Sequence, residues 1–279
     1  MVDSNDAYDT RVRTPNRKFR LTIRGRKQVI SVSFSELVLF VGLGAVVGFA
    51  GGLFAIGGAL IAIPLLTAVF GFTQHDSQGT AMVMALASAS VTLVIYVRKK
   101  LLRVRDGLIM TACSTAMGLV SSQMVRYVND RTLQRSFGAF LIVLAVFVWF
   151  GHLGEGDRSA PLPTPAQVGI GSLAGALSGL FVVGGALVSV PLLERVAGYS
   201  QQRAQAMVLL MLVPASAIGL VVYSSAGYVR WHEAIALAGG AVALAPLGTR
   251  AALVMKPRLL RRCFAVVQAG AGLLLVAGR

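Results

Sequence analysis

The sequence predicts an all-α integral membrane protein of about eight transmembrane segments, in two homologous four-segment repeats, the first segment of each broken at glycines. Composition comes first: 56% of residues are hydrophobic, 13% are charged and the mean hydropathy is +0.73. Several apolar stretches run to about 20 residues, enough to cross a hydrocarbon core. They show no strict alternation, which selects helices over a closed barrel as the way to satisfy the backbone in lipid. The third observation is self-similarity at a constant offset of 127 residues. GGLFAIGGALIAIPLLTAVFGFTQ (Gly51 to Gln74) lies over SGLFVVGGALVSVPLLERVAGYSQ (Ser178 to Gln201), so one supersecondary unit is built twice.

Residues 1–34 form a basic tail containing Arg11, Arg13, Arg17, Lys18, Arg20, Arg24, Arg26 and Lys27. It is too long and too basic for an ordinary secretory signal, and no small-residue cleavage site precedes the first apolar run, which is read as a retained span. The tail is expected on the cytoplasmic side. The formal net charge of +15 would suggest nucleic acid in a soluble protein. Here the excess lies in the tail and between spans, where it sets topology and meets anionic lipid headgroups, so no nucleic-acid partner is expected.

The first repeat, 35–151, holds apolar segments at about 35–70, 79–97, 107–125 and 134–151. The leading one is long for one span and short for two, and contains Gly51, Gly52, Gly57, Gly58 and Pro64; a helix interrupted midway follows. Residues 152–165 carry three prolines with Glu155, Asp157 and Arg158, an exposed Pro-rich linker. The second repeat, 166–279, holds segments at about 166–197, 205–224, 233–255 and 260–278. Cys113 and Cys263 are not at equivalent repeat positions, and no disulfide framework is indicated.

Charge leaves the relation between the repeats open. Eight single crossings with the N-terminus inside place sixteen Lys and Arg on the cytoplasmic side and ten opposite. Yet the basic cluster follows the second segment in the first half (Arg98, Lys99, Lys100, Arg103, Arg105) and the third in the second (Arg250, Lys256, Arg258, Arg261, Arg262), as inverted repeats would have it. Inversion needs an odd number of crossings per repeat, which a leading segment that dips in and returns would supply. It divides the Lys and Arg evenly, thirteen to each side.

Paired Gly-rich, Pro-terminated segments in corresponding places of two halves point to a transporter's substrate site. A broken helix exposes unpaired N–H groups and the positive end of a half-helix dipole, which together suit an anion. The candidates are Gly57, Gly58, Gly184 and Gly185. After each break comes a polar patch in which Gln74 pairs with Gln201 and Gln78 with Gln205; with Thr80, Gln78 and Gln205 are the candidate neutral donors to an oxyanion. Arg250, within the seventh segment, and its repeat partner Gln123 are possible anion-attracting groups, although an Arg that close to an interface commonly snorkels to headgroups. All eleven acidic residues fall in the tail, in loops or at segment ends. Cation pumps and proton relays use buried ionisable groups, so the substrate is expected to be an anion or a neutral molecule. His75, His152 and His232 lack metal-ligand spacing, and no nucleophile with its base stands in the spans; neither metal, cofactor nor catalytic residue is expected.

The doubled G-x-x-x-x-G-G-[AG]-x-x-x-x-P-L-L pattern (Gly52 to Leu66, Gly179 to Leu193), the Gln78-Gly79-Thr80 triplet and the closing PLGTRAALVMKPRLLRRCF (Pro246 to Phe264) resemble the TauE/SafE sulfite-exporter family of membrane transporters. The resemblance covers nearly everything from residue 36 to 279. Family members commonly carry Gly-Thr-Ser after the first break, where this chain has Gly79, Thr80 and Ala81. The resemblance implies a multi-pass permease of the bacterial inner membrane that moves a small anion, a sulfur oxyanion or organosulfonate, by alternating access; the two breaks are then expected to meet near the midplane and hold the oxyanion. An anion channel of the same architecture is the alternative. Oligomeric state is not indicated.

Overall fold

The computed structural model describes residues 34–102, 104–150 and 162–277. The basic tail, apart from Phe34, and most of the Pro-rich linker lie outside the described residues. All regular structure among them is helical: α1 (Phe34–Phe54), α2 (Ala59–Ala68), α3 (Gln74–Arg98), α4 (Leu108–Met124), α5 (Asp130–Phe150), α6 (Thr164–Phe181), α7 (Gly184–Arg195), α8 (Gln201–Ser225), α9 (Trp231–Val254) and α10 (Pro257–Ala277). Displaced by 127 residues, α3 coincides with α8 and α5 with α10 at both ends. Seven of these helices are long and apolar enough to cross a membrane.

The leading segment of each repeat is a helical hairpin. In the first, the chain reverses over Ala55–Gly58 and α2 returns along α1: Gly58 packs against Val47 and Gly51, and the Phe40 ring meets the Phe70 ring at 5.0 Å. Gly57 and Gly58 have φ of +70° and +83°, which glycine alone adopts at no steric cost. Ala55 and its repeat partner Val182 also have positive φ, 57° and 65°. The second hairpin reverses there too, with Gly184 against Leu177 and Gly185 against Ala174 and Ser178.

Two hairpins and six long helices account for the eight expected segments. Each hairpin returns to the end of the bundle it entered, so a repeat makes three crossings through its remaining helices. Antiparallel pairing of α3 with α8 fixes the result: Gly219 of α8 faces Met82, Tyr223 reaches Gln78, and Gln205 reaches Tyr96. The two repeats are therefore inverted. The open question in the sequence is decided by a reversal at Ala55–Gly58 that no charge count could register.

The halves are interleaved. α1 lies along α9, with Gly44, Gly48 and Gly52 set against Leu237, Ala241 and Ala245. α6 lies along α4 in the same way, with Gly171 and Gly175 set against Met110 and Ser114. Small residues let the backbones approach closely, which is how helices associate without a hydrophobic force between them in lipid. A Cβ on Gly44 or Gly175 would fall on the partner's carbonyl oxygen.

Candidate functional site

Gly58 caps the start of α2, and Gly57 rests against Ala85 near the middle of α3, where the Ser88 hydroxyl donates to the Gly57 carbonyl at 2.8 Å. The positive end of a ten-residue helix thus starts inside the bundle, with N–H groups that have no carbonyl behind them within the helix. α7 begins at Gly184 from the opposite end. Gly57, Gly58, Gly184 and Gly185 are all buried.

Gln78 and Gln205 occupy mirrored positions, each near the start of its long helix, and so lie toward opposite ends of the bundle. Each accepts a hydrogen bond from a tyrosine of the other repeat: Tyr223 Oη donates to Gln78 Oε1 at 2.8 Å, and Tyr96 Oη donates to Gln205 Oε1 at 2.8 Å. Tyr96 and Tyr223 are themselves 127 residues apart. The tip of each hairpin approaches the other repeat's glutamine. Tyr223 Oη stands 3.5 Å from the Gly179 carbonyl, at the end of α6, while Phe54, at the end of α1, lines a pocket with Gln205.

The two halves differ in how open they are. Around Gln205 a pocket is walled by α5, α7, α8 and α10, with Val148, Val190, Glu194, Gln201 and Arg261 among its lining residues. The repeat equivalents on the Gln78 side, Leu275, Ile63, Thr67, Gln74 and Gln134, leave less room: Leu275, Ile63 and Gln74 are buried, Thr67 and Gln134 are half-buried, and Val is replaced by a larger aliphatic at two positions. On that side the end of the bundle is covered by Arg230, whose guanidinium sits 3.9 Å over the Phe72 ring and 3.3 Å from Asp76, and by His75 against Tyr228. Gln74 Nε2 and Gln78 Nε2 are buried there without a partner, which leaves two amide donors available inside the protein.

Thr80 is buried, and its hydroxyl accepts the Arg230 backbone N–H at 3.2 Å, tying α3 to the start of α9. Arg250 and Gln123 are exposed on the outer surfaces of α9 and α4. Sequence reasoning missed Tyr96 and Tyr223, which the 127-residue offset marks as an equivalent aromatic pair with a hydroxyl. It also placed Glu194 merely at a segment end. The side chain is only 4% exposed and turns inward toward Arg261, with Nη2 3.6 Å from Oε2. Among the described residues, no group of three His, Cys, Asp or Glu is placed to hold a metal ion.

A profile of the family described as "Sulfite exporter TauE/SafE" matches residues 40–275, both hairpins and all six long helices included. The chain belongs to the TauE/SafE family. Among curated proteins, "Probable membrane transporter protein MJ0441" of Methanocaldococcus jannaschii is 26% identical, over 84% of this chain and 94% of its own length. "Probable membrane transporter protein YunE" of Bacillus subtilis is 23% identical over 74% and 85%. "Probable membrane transporter protein YdhB", also of Bacillus subtilis, is 26% identical over 86% and 98%. This TauE/SafE chain is a multi-pass membrane protein of a transporter family, and its inward-facing helix starts, buried amides and one-sided pocket are the features on which a transport reading rests.

Proposed function

We propose that the chain is a secondary carrier of the bacterial inner membrane that moves a small anion, a sulfur oxyanion or organosulfonate, by alternating access. The observation that carries this reading is the inverted pair of hairpins, each starting a half-helix inside the bundle and each approaching the other repeat's glutamine. Half-helix N-termini attract negative charge, and unpartnered glutamine N–H groups bond an oxyanion without adding a fixed charge. Gly57, Gly58, Gln78 and Thr80 line the first-half route, and Gly184, Gly185 and Gln205 the second.

Inverted repeats make the second state a consequence of the first. The pocket at Gln205 and the closed side at Gln78 are two conformations of one unit, and exchanging them exposes the substrate to the other side. The family name points to sulfite, and the missing Ser after Thr80 leaves room for a different member of the same chemical class.

The test is flux into proteoliposomes of sulfite, sulfate, thiosulfate, taurine and sulfoacetate, with acetate as the comparison anion. Saturable uptake of at least one sulfur anion, with acetate excluded, is expected. Flux proportional to concentration without saturation would make the protein a channel, and absence of flux for every anion would remove the assignment.

A further inference from the structure

The pocket in the second half contains something its first-half counterpart lacks. Where α2 carries Thr67 and α5 carries Gln134, α7 carries Glu194 and α10 carries Arg261. The first-half residues are satisfied as neutrals: the Thr67 hydroxyl is 2.8 Å from Ser77 Oγ and 3.3 Å from Gln74 Oε1, and Gln134 Nε2 donates to the Leu275 carbonyl at 3.0 Å. The second-half pair is left incomplete. Its N···O separation of 3.6 Å is outside hydrogen-bond range, and Glu194 Oε1, Arg261 Nε and Gln201 Oε1 are buried with no partner.

A buried charge without its full set of hydrogen bonds is costly, and such groups are usually retained for a role. Three unpartnered polar atoms around one opening, next to Gln205, describe a site that is waiting for another occupant. The charges facing Glu194 are Arg261 from α10 and Arg195 beside it in α7, with Arg258 near Arg261. α5 and α8 contribute Val148, Gln201 and Gln205 to the pocket walls, and no charge.

We propose that Glu194 and Arg261 form a proton-controlled anion site, in which a proton on Glu194 releases Arg261 to an oxyanion that enters the pocket beside Gln205. With Glu194 ionised, its carboxylate holds Arg261 and repels the anion. A proton from the solution on that side neutralises the carboxylate, the anion takes its place as partner of the guanidinium, and the net charge of the pocket is the same before and after. Anion and proton therefore bind together and leave together, which couples transport to the proton gradient. This inference rests on the carrier reading above, and it supplies the coupling ion that reading lacks.

Methanesulfonate is the probe, because it keeps a single charge from about pH 5 to about pH 8, whereas sulfite titrates in that range. Calorimetric titration of the purified full chain, in buffers of different ionisation enthalpy, counts protons taken up with the anion. About one proton per anion is expected for the native chain at about pH 8, where Glu194 starts ionised, with binding at least about tenfold tighter near pH 6 than near pH 8. Glu194→Gln should bind without proton uptake and with affinity changing less than about twofold over that range. The pair Glu194→Gln with Arg261→Gln brings the site close to the neutral first-half arrangement and should fold yet bind at least about tenfold more weakly. Should Glu194→Gln fail to fold, Glu194→Asp keeps a titratable carboxyl and is expected to retain the proton uptake. Proton uptake that survives in Glu194→Gln, binding to the native chain without a proton, loss of uptake in Glu194→Asp, or a requirement for sodium instead would each overturn the proposal. Proteoliposomes that move a sulfur anion with no dependence on pH would leave the carrier standing and remove Glu194 from it; proteoliposomes that move no anion would remove both.

Discussion

At the residue scale the reciprocal bonds Tyr223–Gln78 and Tyr96–Gln205 are the clearest sign that the two halves form one working unit. Each buries a phenol hydroxyl against an amide oxygen, and removing the donor leaves a buried acceptor unpaired at a cost of about 1–3 kcal/mol. Tyr96→Phe and Tyr223→Phe are each expected to lower thermal stability in detergent by that order. Because the bonds sit toward opposite ends of α3 and α8, the double variant should lose the sum of the two, within about 0.5 kcal/mol. A double variant no worse than either single one would mean that the bonds open together. The glutamines were legible in the sequence as equivalent polar positions after each break. Their partners were not, because a tyrosine more than a hundred residues away declares itself only through the antiparallel register of α3 on α8. Glu194 was legible as a residue and illegible as a site: its place in the last turn of α7 suggested the interface, and only the packing of α10 over that turn makes it an interior group.

At the element scale the hairpins concentrate the backbone strain. Ala55 and Val182 stand at the same repeat position with φ in the left-handed region, although neither is glycine, and a β-branched residue there is a genuine outlier. Such a conformation costs on the order of 1–3 kcal/mol and persists where the surroundings impose it. Ala55→Gly and Val182→Gly are expected to raise the unfolding midpoint, Val182→Gly the more, by relieving strain worth about 1 kcal/mol or above. A drop in midpoint for both would show that the side chains' packing outweighs the strain. The glycine breaks and their prolines were visible in the sequence as interruptions, but an interruption can be a kink or a reversal. What distinguishes them is tertiary: Phe40 facing Phe70, and Gly58 fitted against Val47.

At the scale of the whole molecule the inverted arrangement makes a statement about sides. Lys99 and Ala226 are repeat equivalents, each at the end of a long helix. A parallel duplication would put them on the same side of the membrane, and the observed fold puts them on opposite sides. With Cys113 and Cys263 replaced, Lys99→Cys and Ala226→Cys in oriented vesicles should react with a membrane-impermeant thiol reagent from opposite sides only. Labelling of both from one side would refute the inversion. The even division of Lys and Arg explains why the sequence could not settle this point, since the basic clusters that orient a chain cancel across an inverted pair.

The interleaving of α1 with α9 and of α4 with α6 has a consequence for what the molecule could be built from. Neither half has an interior of its own, because the inner wall of each hairpin belongs to the other half. Half of the chain, made as a separate polypeptide, could rebuild the structure only by meeting a second copy threaded through the bilayer upside down. Such a protein would depend on the insertion machinery producing both orientations in equal number, and every surplus copy would be left without a mate. Joining the halves in one polypeptide fixes the ratio at one to one, and it lets the two halves differ in sequence, so that one carries Thr67 and Gln134 where the other carries Glu194 and Arg261.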